Sequence, residues 1–231
     1  MTVEAEAFGA WRVIALVLGL ALAAASLACL SRCSRLIGRW SAGRAFKREA
    51  ALGYASASEA VGSAARCSSV LRACLLAAML FLSLLQASVL QGALALVAGF
   101  VCACAIESDV VYRYIPRELS FTLLAEGFAL QSAKPSSLVF GCFVGLLLVA
   151  VSVVANKTAR KHEGFAFAGG GDIRMMLSLS VATGDGCLAG CFTCYAAALL
   201  WALTARRAHN VFPMAPFFAL WLLAGLACFS L

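Results

Sequence analysis

Between positions 70 and 108 the chain runs for nearly forty mostly apolar residues, interrupted by Gln86-Ala87-Ser88 and Gln91. A hydrocarbon core about 30 Å thick is crossed by ~20 residues of helix, so this run is two membrane-crossing helices joined by a tight turn. The whole chain is 63% hydrophobic and 13% charged, too little charge to cover a water-facing globule. The expected fold is therefore all-α, a polytopic membrane helix bundle.

Further apolar segments continue the pattern. Residues 11–30 match one span and read as a retained helix rather than a removed signal. Residues 119–131 and 137–155 follow, then a segment starting near Asp172 and ending before Gly184-Asp185-Gly186, then 188–204 and 212–231. That makes about eight spans with the N-terminus outside. Under this arrangement sixteen of the eighteen Lys and Arg fall in or beside cytoplasmic loops, leaving Arg12 and Lys134 outside. The formal charge of +7 is thus read as topology signal and not as a nucleic-acid surface. The chain divides into residues 1–69, one transmembrane helix plus a basic cytoplasmic loop, and residues 70–231, the membrane core.

Two of the spans are short. At 1.5 Å per residue, 119–131 covers about 20 Å and 173–183 about 17 Å, against the ~30 Å core. The second segment is preceded by Gly169-Gly170-Gly171-Asp172, so crossing draws glycine-rich, irregular backbone below the headgroups. Such backbone is tolerated where protein or a wet cavity covers it, which predicts a water-accessible hollow open to the cytoplasm.

An ionisable group at the edge of a span is a functional candidate by default. Asp172 is one, and Asp109, closing the apolar run that ends at 108, is a second on the same expected membrane face. Two carboxyls in close contact divide the roles of acid and base, because mutual repulsion and desolvation separate their proton affinities. Gly169 and Gly171 permit backbone angles and close approach that other residues do not. The plainer alternative is that each aspartate caps a helix, Asp172 standing before Ile173-Arg174-Met175 as an N-cap does. Glu107 is two residues from Asp109, about 200° around a helix, and points away. Glu126, inside a short span, either bonds a neighbouring helix or lines the cavity. Arg174 either holds the Asp172 region at the lipid surface or is a topology charge.

Of eleven cysteines most lie in apolar runs, where cysteine packs as a small hydrophobe. Cys187, Cys191 and Cys194 share a helical face, but His162 and His209 are distant in sequence, so no metal or other cofactor is assigned. The glycine run lacks the Gly-Lys-Ser/Thr of a phosphate-binding loop.

Asp109 with Pro116 seven residues on, in Asp-Val-Val-Tyr-Arg-Tyr-Ile-Pro-Arg-Glu-Leu-Ser, together with Gly-Gly-Gly-Asp-Ile-Arg-Met-Met, resembles the two aspartate motifs of type IV prepilin peptidases, intramembrane aspartyl proteases of the Gly-x-Gly-Asp class. Phe212-Pro213-Met214-Ala215-Pro216 is similar to the start of that family's final helix. The resemblance covers about residues 71–231. It implies that Asp109 and Asp172 are the catalytic pair, with Gly169, Gly171, Pro116 and Arg174 in support. It also implies a substrate, a type IV prepilin or pseudopilin-like protein, whose short basic leader is cut on the cytoplasmic side of the cell membrane before an apolar helix. Arg117 replaces the family's usual Asp or Asn, and Arg174 its usual lysine. Bifunctional members carry paired Cys-x-x-Cys motifs in an N-terminal loop; this chain has Cys33 and Cys67 there, so cleavage without N-methylation is expected. The competing readings are a proton-coupled carrier using Asp109, Asp172 and Glu126, and a non-catalytic assembly factor of a pilus or secretion machine.

Overall fold

The computed structural model describes residues 28–40, 43, 61–86, 88–112, 114–162, 169–204 and 214–230, and every regular element among them is helical. Residues 28–40 form α1. There follow α2 (Val61–Leu84), α3 (Val89–Tyr112), α4 (Arg117–Gln131), α5 (Pro135–His162), α6 (Gly170–Thr183), a 3-10 turn (Gly184–Gly186), α7 (Cys187–Thr204) and α8 (Ala215–Ser230). The expected first span, 11–30, lies outside the described residues except for its last three.

By length and composition, three apolar helical stretches are long enough to cross a membrane: Val89–Val110, Pro135–Thr158 and Gly170–Trp201. The third is folded, not straight. The Tyr195 hydroxyl sits 3.4 Å from the Met176 sulfur, whereas nineteen residues of continuous helix would hold them roughly 28 Å apart. The chain reverses at Gly184, whose φ of +50° is the positive-φ glycine among the described residues. The turn expected at Gly184-Asp185-Gly186 is therefore observed, as is a break between α2 and α3, where residues 85, 86 and 88 are not helical.

Burial separates the bundle's centre from its rim. Along α3 every residue from Val101 to Asp109 is buried, so neighbours surround this helix on all sides. On α5, by contrast, Val139, Phe143, Leu147, Val151 and Val154 are all exposed and recur every three or four residues. A continuous apolar stripe of that size is untenable against water and natural against lipid tails.

Inside, small residues let helices approach closely, the usual basis of packing between membrane helices. A Cβ on Gly127 of α4 would lie 2.8 Å from the Ala182 backbone nitrogen of α6, and one on Gly225 of α8 would lie 2.5 Å from the Thr183 side chain. Gly190 of α7 similarly makes room for the fully buried Trp221 ring of α8.

Several expected boundaries shift. The short helices are longer than the sequence suggested, α4 having 15 residues and α6 having 14. The reason for α6 is that Gly170 and Gly171 are themselves helical, so of the irregular glycine backbone expected at 169–172 only Gly169 is extended and the rest is the first turn of a helix. The helix α5 runs to His162, seven residues past the expected apolar limit at 155, because a helix need not end where its apolar stretch does. The helix α2 begins at Val61, so the expected division at 69/70 falls within it.

Candidate functional site

Asp109 lies near the C-terminal end of α3 and is 7% exposed. Its Oδ2 accepts a hydrogen bond from the Ala215 backbone N–H at 2.9 Å. Ala215 is the first residue of α8, so the carboxylate sits against a helix N-terminus, where unsatisfied N–H groups favour negative charge.

Asp172 lies in the first turn of α6 and is half-buried. Gly169, in extended conformation, is the N-cap, and its N–H donates to Asp172 Oδ2 at 3.0 Å. Asp172 is thus the third helical residue reaching back to the cap, not the N-cap itself as one sequence reading had it. Glycine has no side chain to complete the reciprocal half of a capping box. From α7, Cys194 and Tyr195 lie within electrostatic range of Asp172.

The short loop between α3 and α4 reaches both aspartates' neighbourhoods. Ser108, adjacent to Asp109, donates its hydroxyl to the Tyr114 carbonyl. Ile115, one residue on, packs on Gly171, adjacent to Asp172: a Cβ at Gly171 would stand 3.1 Å from the Ile115 Cβ. Pro116 then caps α4 and is buried. The two aspartates, 63 positions apart in sequence (172 − 109), are therefore gathered at one end of the bundle by residues 114–116. Gly171 is used for close approach and not for an unusual backbone angle.

Among the other sequence candidates, Arg174 folds its guanidinium toward the helix start, with Nη1 3.5 Å from the position a Gly170 Cβ would take. Its Nε is buried without a hydrogen-bond partner among the described residues. Arg117 is exposed. Glu126 is partly buried, and its Oε2 has no hydrogen-bond partner among the described residues.

Sequence reasoning missed a second buried centre two residues from Asp109. Glu107 is fully buried; its Oε1 receives Arg39 Nε at 2.8 Å, and its Oε2 receives the Ser68 hydroxyl at 2.6 Å and lies 3.3 Å from Arg72 Nε. Arg72 is 1% exposed and also donates Nη1 to the Ser31 carbonyl and the Ser34 hydroxyl. This cluster fastens α1 and α2 to α3. The available signal was Arg72 itself, a lone cation within an apolar run, which calls for a named partner. Glu107 does face away from Asp109, as the helical angle requires.

No protein-family model, curated protein or solved structure matches this chain.

Proposed function

We propose that the chain is a membrane aspartyl endopeptidase in which Asp109 and Asp172 form the catalytic pair, removing short basic leaders from type IV prepilin-like substrates at the cytoplasmic face of the cell membrane. The carrying observation is the loop 114–116, held by Ser108 beside Asp109 and packed on Gly171 beside Asp172. Together with the motif resemblance, it supports bringing the two carboxyls to one substrate. The about eight spans and external N-terminus belong to the same reading.

Cleavage needs one ionised and one protonated carboxyl. The anion takes a proton from water while the hydroxide adds to the scissile carbonyl carbon, and the acid protonates the carbonyl oxygen. The resulting tetrahedral diol collapses, the C–N bond breaks, and the leaving nitrogen takes a proton from the pair. The titration belongs to both groups together. No cofactor enters this scheme.

A second reading, a proton-coupled carrier, draws on Glu126 and its unpartnered carboxyl oxygen inside a helix bundle. Asp109→Asn and Asp172→Asn, each tested with a co-expressed prepilin, separate the two. The peptidase reading expects the leader to stay on in both variants; a variant that still trims at the normal rate refutes it.

A further inference from the structure

A cavity of about 670 Å³ opens between α1 and α2, and Arg72 of the Glu107 cluster lines it. Ala28, Arg32 and Arg35 line it from one stripe of α1, and Arg72, Ala73 and Ala77 from one face of α2. The Arg72 to Ser31 hydrogen bond sets the register, and the two helices run in opposite directions, since Arg39 and Ser68 both meet Glu107. The groove is consequently graded along its length. Arg35 stands at one end, Arg32 and Arg72 in the middle, and Ala28 and Ala77 at the other end.

Among the described residues, charge on this face does not balance. Arg35 and Arg39 both act on Arg72 electrostatically, and Arg32 shares its cavity, yet Glu107 is the one carboxylate that these four guanidiniums meet among the described residues. Arg32 and Arg35 are exposed, with no hydrogen bond or ion pair to any described residue. The volume is in the range of small-ligand sites.

We propose that this groove binds an anionic phospholipid, its phosphate held by the exposed Arg32 and Arg35 over the buried, Glu107-paired Arg72, and an acyl chain lying along Ala28, Ala73 and Ala77. A basic cluster continuous with a small-residue apolar channel has the polarity of one lipid molecule, head to tail, and a basic pocket between membrane helices is a recognised headgroup site. A free phosphate would use the same arginines and leave the apolar end unfilled. This inference requires the helices to lie in a bilayer and is independent of peptidase activity.

The test uses the full chain, exchanged into nanodiscs of phosphatidylcholine with or without phosphatidylglycerol, and native mass spectrometry to count retained lipids. Phosphatidylglycerol is expected to be retained in preference to phosphatidylcholine. The double variant Arg32→Gln/Arg35→Gln, whose side chains are exposed, is expected to lose about thirtyfold of that preference, from the usual contribution of two basic groups near a headgroup. Equal retention of both lipids, or unchanged preference in the double variant, overturns the proposal. Inorganic phosphate at millimolar concentration is expected not to displace the lipid; complete displacement would make this a soluble-anion site instead.

Discussion

Glu107 and Asp109 are the same kind of group, two residues apart in the buried part of one helix, and their surroundings differ. Glu107 meets two guanidiniums and a hydroxyl, so its charge is matched on the spot. Asp109 turns to the other side of α3, toward the start of α8 and the loop that touches Gly171. One carboxylate holds helices together; the other stands beside the loop whose next residues pack against the start of α6. Burial alone therefore does not single out a functional candidate, because the more buried of the two is the one fully matched by its partners.

That contrast can be broken in order of expected effect. Asp109→Asn or Asp172→Asn should lower leader cleavage at least about a hundredfold, the scale of a lost acid or base, with thermal unfolding in detergent little changed. Glu107→Ala should do the opposite. It strands buried Arg72 and should cost roughly 3–5 kcal/mol of stability, read from unfolding, while cleavage per folded molecule persists. Gly186→Ala presses a methyl on the Gly225 carbonyl of α8 and should cost about 1–3 kcal/mol. Arg39→Ala should cost under about 1 kcal/mol, since that side chain is 44% exposed. Arg117→Asp, at an exposed position, should move stability by no more than about 0.5 kcal/mol, so any change in cleavage reports on substrate contact.

Much of the helical layout was legible because lipid imposes it. Apolar run lengths, the 85–88 break and the Gly184–Gly186 reversal could all be read from residue type alone. Helix ends were less legible: α5 runs on through Asn156 to His162, where nothing apolar marks the continuation, and the first turn of α6 includes Gly170 and Gly171, poor helix formers, with Gly171 packed tightly on Ile115. The Glu107 centre was illegible for a different reason. Its members, Arg39, Ser68 and Arg72, come from helices that sequence spacing cannot bring together, so Arg72, a lone cation in an apolar run, called for a partner without saying which. Asp109 and Asp172 were easier to single out as candidates because glycines and a proline lie near them in sequence.

Proximity of positions 109 and 172 is the central claim, and a short thiol cross-linker on the double variant Asp109→Cys/Asp172→Cys measures it directly, with linked peptides identified by mass spectrometry. The account predicts a linkage between the peptides carrying positions 109 and 172, and none from position 172 to native Cys104, beside the Glu107 cluster. A protein that stays folded but links position 172 to Cys194 alone, never to position 109, would contradict it.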